Sequence, residues 1–286
     1  MAANPRRLNV TELDFDDIKG NLKTFLKGQT EFTDYDFEGS GMNILLDVLA
    51  YNTHYLAFNA NMLANEMFLD SSSLRSSVVS HAKTLGYVPQ SARAATATVE
   101  VALNTTNATA TMNAGTAFNT TINGDAYTFI NPTEKTASNI GNSIVFSNLV
   151  LYEGTFVTSR YTVDTSNVEQ RFIINDNRVD TRTLTVKVQN SVSDSTTTTY
   201  TLATDIAQVT GTSNVYFLQE VEAGRFEVYF GDGVLGSALS DDNILILQYV
   251  VSNQEDGNGA SVFTSAGAID SVSNVVVTTI DNSSGG

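Results

Sequence analysis

The chain holds few residues whose type and spacing could do chemistry. His54 and His81 are its two histidines, and cysteine is absent. Without a thiolate there is no disulfide and no zinc site that uses sulfur. Neither histidine sits in an HExxH sequence, so a helix-borne zinc pair is excluded as well. Both read as ordinary helix-surface or partly buried side chains. The sequence carries no GxSxG elbow, no GxxxxGK[ST] loop and no GxGxxG between a strand and a helix, which removes the common hydrolase and nucleotide-binding signatures. Carboxylates are the remaining route. Asp34, Asp36 and Glu38, or Asp241 and Asp242, have the residue type of a glycosidase acid pair. The chain has no tryptophan to serve as a sugar platform, and acids spaced along loops are usually solvated or turn-forming. Gly231-Asp232-Gly233 invites a calcium reading, because aspartate in a glycine-rich turn presents oxygen to a hard cation. One carboxylate is too few ligands. The triplet reads as a structural hairpin turn, with both flanking glycines at positive φ, and Asp256-Gly257-Asn258-Gly259 follows the same logic. The expectation is of a non-enzyme: no catalytic residue, no metal site and no cofactor.

Composition narrows the class further. Of 286 residues, 42% are hydrophobic and 16% charged, too apolar for disorder and enough for real cores. The formal charge is −16, from 31 acidic and 15 basic residues. DNA would be repelled, since nucleic-acid affinity rests on Lys and Arg neutralising phosphates, so no nucleic-acid partner is expected. The longest aliphatic run, Ile244–Leu247, is far short of the roughly 20 residues a membrane span needs. Membrane insertion is therefore not expected. Met1–Val10 carries Arg6 and Arg7 without a following apolar segment, unlike a secretory signal. A cysteine-free chain suits folding in a reducing cytoplasm.

The elements that would position these residues change character near residue 95. Asp14 is placed to cap a helix running to about Lys27, with Asp16 and Asp17 in its first turn and Gly28 at its stop; Ile18, Leu22, Phe25 and Leu26 form its apolar face. After a loop over 29–40, Ser40 caps a second helix from Gly41 to about Leu69. Its broad stripe includes Leu45, Val48, Leu49, Tyr55, Phe58, Met62 and Met67. Asn52, Asn59, Asn61 and Asn65 are numerous for a helix and read as solvent-facing, or as hydrogen-bonding to a neighbouring chain. Ser71–Ser73 is expected to cap a third helix through Val78, Val79, Ala82 and Leu85, ending at Gly86 and Pro89. Three helices in so short a stretch leave little mass for an independent core, so this region is expected to share apolar surface with something else.

From Thr96 the apolar period becomes two: Val99, Val101 and Leu103 alternate with Thr98, Glu100 and Ala102. Similar segments occur at 127–130, 143–146, 149–152, 171–174, 183–188, 215–218, 226–230, 244–251 and 275–280, separated by turn residues. Residues 191–199 read as a long exposed loop or hairpin tip. The fold class is α+β: an N-terminal helical segment followed by mainly antiparallel, β-sandwich-like domains. The expected organisation is a helical docking region at 1–95, a first β region at 96–160 and a second β domain with the FGDG hairpin at 161–270. A terminal strand and polar linker at 271–286 would lead to a further C-terminal region.

Two stretches report more than secondary structure. The first is Tyr35-Asp36-Phe37-Glu38-Gly39-Ser40 followed by Asn43–Thr53, Leu74–Val79 and Leu85-Gly86-Tyr87-Val88-Pro89. The second is Phe226-Glu227-Val228-Tyr229-Phe230-Gly231-Asp232-Gly233-Val234-Leu235-Gly236, followed by the strand at 244–251 and the Gly257-Asn258-Gly259 turn. Together these resemble the ring-forming baseplate wedge proteins of T-even-type contractile-tailed bacteriophages, within the baseplate J-like family. The resemblance spans roughly residues 15 to 265, with a weaker middle, and its motifs are structural.

What it implies is a virion tail protein, assembled in the host cytoplasm. A second copy of itself and other wedge subunits would be its partners. Six wedges would close into a ring around the hub, and rearrangement of the ring would accompany sheath contraction and genome ejection. The N-terminal helices would share a bundle with a partner wedge protein. Mapped onto this chain, Leu22, Phe25, Leu26, Leu45, Val48, Leu49 and Tyr55 become candidate subunit-interface residues. Relatives of this type continue beyond the equivalent of Gly286 into a pairing region. The rival reading is a non-catalytic virion adhesin or fibre-attachment module, suggested by the Thr- and Asn-rich strands; the helical front end argues against it.

Overall fold

A computed structural model describes residues 14–29, 31 and 35–286. The chain is α+β and divides into two compact units, 1–88 and 89–286. The first expected acid of the loop, Asp34, and the segment Met1–Val10 lie outside the described residues.

The helical unit contains α1 (Phe15–Lys27), α2 (Gly41–Glu66) and α3 (Arg75–Thr84). Asp14 caps α1, accepting from the amides of Asp16 at 2.8 Å and Asp17 at 3.2 Å. Ser40 caps α2 through the Asn43 amide at 3.0 Å. Each cap satisfies amides that the first turn leaves without partners. The third cap differs from the expectation. Leu74 occupies the position and offers no side-chain oxygen, because the serines point elsewhere: Ser71 donates to Asn65 O at 2.7 Å and Ser72 to Phe68 O at 2.6 Å. Glu66 supplies the acceptor instead, taking the Ser73 amide at 2.9 Å and the Leu74 amide at 3.3 Å. His81 Nε2 stands 2.9 Å from Glu66 O, tying α3 back to the end of α2.

The β unit is built from fifteen strands. The first six are β1 (Thr96–Asn104), β2 (Thr109–Met112), β3 (Thr116–Ile122), β4 (Asp125–Asn131), β5 (Lys135–Ile140) and β6 (Ser143–Glu153). Seven more follow: β7 (Thr155–Thr162), β8 (Phe172–Ile174), β9 (Val179–Gln189), β10 (Thr197–Leu202), β11 (Val215–Glu220), β12 (Phe226–Phe230) and β13 (Ile244–Val251). The last two are β14 (Thr264–Ser265) and β15 (Val275–Ser284). They form two sheets. One has the order β14-β3-β4-β6-β1-β15, with β5 on β6 and β2 on β5; the other runs β7-β13-β9-β10-β11-β12-β8. All pairings between these strands are antiparallel except β10 with β11.

Strand pairing redraws the expected boundaries. β7 joins the second sheet, and β14 and β15 return to the first, where Val275–Leu103 and Val277–Val101 are register partners. The strand expected at 275–280 runs on to Ser284 through residues expected as polar linker: Ser283 is buried, and its hydroxyl donates to Gly257 O at 2.6 Å. The segments expected at 143–146 and 149–152 are one strand. Asn148, at φ 51°, makes a bulge opposite Val99–Val101, which adds a residue without ending the pairing. The polar tract Thr197–Thr199, expected in a loop, pairs with β9.

Each sheet folds over its own core. In the first, Val99, Val101, Leu103, Phe118, Phe129 and Leu151 pack together; in the second, Ile174, Val186, Phe226, Val228, Leu245 and Leu247 do so. The second sheet curls until its edge strands meet. Tyr161 of β7 donates its hydroxyl to Ile173 O of β8 at 2.6 Å, and its ring meets Phe172 edge-on at 5.6 Å.

Candidate functional site

The expected interface residues gather on α1 and α2. On α1, Ile18, Leu22 and Leu26 are each partly covered and recur every four residues, one stripe of the helix. Beside them Lys19 reaches Asp47 of α2 at 2.5 Å, and α1 and α2 pack against each other. Phe25 lies off that stripe and is 68% exposed. The seven candidates thus separate: Leu22 and Leu26 are half-covered within the unit, whereas Phe25, Leu45, Val48, Leu49 and Tyr55 all stand exposed.

α2 covers a narrow face from within. Its buried residues are Asn43, Leu46, Ala50 and Asn61, two of them amides. Asn43 Nδ2 donates to Glu38 O at 3.1 Å, while Asn65 Nδ2 donates to Asn61 O at 2.8 Å. Asn52 and Asn59 face solvent as expected, but Asn61 does not. The large side chains are on the other faces. Ile44, Val48, Tyr51, Tyr55, Phe58 and Met62 are all exposed, in steps of four, three, four, three and four along α2. That is the alternation of positions a and d in a coiled-coil seam. Leu45, Leu49, Leu56 and Leu63 make a second exposed stripe. Asn52 and Asn59, seven apart, separate the two stripes. Tyr51 and Tyr55 pack edge-on at 4.7 Å with their hydroxyls 3.1 Å apart. Sequence reading found Val48 and Tyr55 of the seam but not Ile44, Tyr51, Phe58 and Met62 as interface candidates. Counting 4-3 steps, in place of a broad stripe, would have found them.

No charge sits between Val48 and Asn65 of α2, so neither stripe is organised by ion pairs. Among the described residues no group of three His, Asp or Glu could hold a metal. Two of the expected acids have partners within the chain. Asp36 lies 3.6 Å from Lys23, and Asp241 accepts from the Thr165 amide at 2.9 Å and its hydroxyl at 3.1 Å. Asp232 accepts from the amides of Val234 at 2.9 Å and Leu235 at 3.2 Å. Those two bonds hold its carboxyl below the usual range. This turn is not the expected hairpin, since β12 and β13 pair with other strands. Only Gly233 of its two glycines has positive φ, at 89°; at Gly231 a side chain would collide with the carbonyls of Leu235 and Gly236.

The comparisons fall on the same regions. Residues 14–87 match the family described as baseplate wedge protein gp6-like, helical domain. Residues 159–255 match bacteriophage baseplate wedge protein gp6, third domain. The chain is also similar to baseplate wedge protein gp6 of Enterobacteria phage T4, 31% identical over 291 aligned residues that cover 93% of this chain and 42% of that protein. The chain thus spans under half the length of this relative. Its helical unit and its second β domain are thus the regions similar to gp6-like baseplate wedge proteins.

Proposed function

We propose that the chain is a non-catalytic structural component of a contractile-tail baseplate wedge, docked to other wedge subunits through α2. The observation that carries this reading is the exposed 4-3 seam Ile44, Val48, Tyr51, Tyr55, Phe58 and Met62. Fully burying six such side chains is worth roughly 1.5–3 kcal/mol each. They are already about half covered, so a partner helix would gain on the order of 5–9 kcal/mol gross. That is comparable with the ~4–15 kcal/mol lost when two bodies associate. One seam alone would bind weakly, whereas engaging the second stripe as well would give a durable assembly. The helical unit is accordingly read as one member of a bundle that takes two further helices, one on each side of the Asn52–Asn59 line.

The finer reading follows from the similarity to the wedge protein. The chain is a ring-forming, baseplate J-like wedge protein of a virion tail, assembled in the host cytoplasm. It is present with a second copy of itself and a bundle partner, and its rearrangement accompanies sheath contraction. In this reading Phe25, Leu45, Val48, Leu49 and Tyr55 contact neighbouring subunits, and Leu22 and Leu26 complete the bundle from α1. The test is co-expression with the other wedge proteins of the same phage. Tyr55→Asp with Leu49→Asp is expected to leave the chain folded and to remove it from purified wedges. Normal incorporation of that variant would overturn the docking claim.

A further inference from the structure

The chain crosses between the two β domains at 153–155 and 251–259, the segment 91–95 leads into β1 beside these crossings, and the junction holds two buried carboxylates. Glu153, the last residue of β6 in the first domain, is 1% exposed. One of its oxygens accepts from the Asn253 amide and the other from Asn253 Nδ2, both at 2.8 Å. Asn253 is where the chain leaves β13 of the second domain. Asp180 on β9 of the second domain has no exposed surface. It accepts from the Ala94 amide at 2.9 Å, just before β1 of the first. Each domain thus buries a carboxylate that caps the backbone of the other domain's connector.

The surroundings hold both acids in place. Arg182 donates to Asp180 from Nε at 2.9 Å and from Nη2 at 2.5 Å. Its guanidinium also donates to Ala94 O at 3.2 Å and lies 5.8 Å over the Tyr152 ring of β6. Thr183 accepts from the Val250 amide at 2.9 Å and donates to Asp180 O at 2.7 Å. Ser91 and Thr181 share a hydroxyl bond of 2.9 Å. Gly154, at φ 132°, lets the backbone pass the Val251 carbonyl, with which any side chain would collide. At Gly257 a side chain would strike Glu153 itself. Burial drives the Glu153 carboxyl above the usual range in spite of both Asn253 bonds. A buried charge of this kind is costly, and is weak evidence of added stability; what the geometry shows it doing is fixing position.

We infer that Glu153 and Asp180 are reciprocal struts that lock the two β domains into one rigid body, so that they cannot rotate against each other. The inference does not depend on the wedge reading. The chain has no cysteine, so paired spin labels at Ile140→Cys and Val192→Cys are selective. Both positions are more than 80% exposed, one in each domain. The full-length chain carrying only these labels is expected to give one narrow distance peak. Adding Glu153→Ala and Asp180→Ala is expected to broaden that peak at least twofold. A broad distribution without the alanines would overturn the rigid body, and an unchanged narrow peak with them would overturn the struts. Should the alanine pair fail to fold, amide hydrogen exchange on the unaltered protein decides. The Ala94 and Asn253 amides are expected to exchange in step with Val99 and Leu247 in the two cores. Exchange at least a hundredfold faster at the junction would overturn the proposal.

Discussion

Phenylalanine meets opposite surroundings in the two units. Phe118 and Phe129 of the first β domain and Phe226 of the second are at most 1% exposed, whereas Phe58 of α2 is 51% exposed among neighbours as apolar as itself. The β unit spends its large side chains on two closed cores. On α2 the helical unit buries only alanine, asparagine and one leucine, and leaves the large side chains outside. The lesson is that apolar content does not measure how self-sufficient a region is. The β unit folds around its own hydrophobic surface; the helical unit leaves a contiguous apolar surface exposed.

The difference can be broken or sharpened experimentally, beginning with the largest effect. Phe129→Ala is expected to cost the β unit about 3–5 kcal/mol, read by denaturant unfolding. Incorporation into wedges should survive wherever the variant stays folded; a specific docking defect would blur the division between the units. Tyr55→Asp should do the reverse. Unfolding free energy should shift by no more than about 0.5 kcal/mol, while binding to wedge subunits weakens by about 2 kcal/mol, or roughly thirtyfold. A large loss of stability there would mean that the seam is already covered within the chain. Ser40→Ala removes the α2 cap and should cost about 1 kcal/mol, seen as helix loss in circular dichroism before the β signal changes.

The smallest effect is on pH. Glu66, which caps α3, is brought down from 4.5 to about 2, first by the Ser73 amide and then by Ser77. A lowered carboxylate contributes fully above its ordinary value, and that contribution is lost as pH falls through the folded one. The protection of the Ser73 and Leu74 amides, taken against the intrinsic exchange rate at each pH, should therefore fall as pH drops from about 4.5 towards 2, with the protection of the β1 amides unchanged. Equal changes in both places would indicate global acid unfolding instead.

How much was legible in the sequence follows from the same contrast. β1 announced itself because one face is fully buried, so Val99, Val101 and Leu103 had to alternate with smaller or polar residues. β7 and β10 did not: they are largely Thr and Ser, and β7 has no fully buried residue to impose a rhythm. β6 looked like two strands because the bulge at Asn148 shifts the alternation by one residue. The return of β15 to β1 could not be read at all, since pairing at such separation leaves no local trace. On α2 the apolar stripe was visible, but its inner face was not. Asn43, whose side-chain amide donates to Glu38 O, and Asn61 are both buried there, which composition does not foretell.

That return has a consequence in time. Thr96 at the start of β1 pairs with Ser284 at the end of β15, so on the ribosome the first β domain begins early and waits for its closing strand while the whole second domain is made. The second domain, contiguous from β7 to β13, is free to fold first. Until then β1 carries an unpaired edge of Val99, Val101 and Leu103, the kind of surface that invites a wrong partner. Maturation of the first domain is thereby tied to completion of the second. A nascent chain halted between β13 and β15 would display one finished domain and one open sheet.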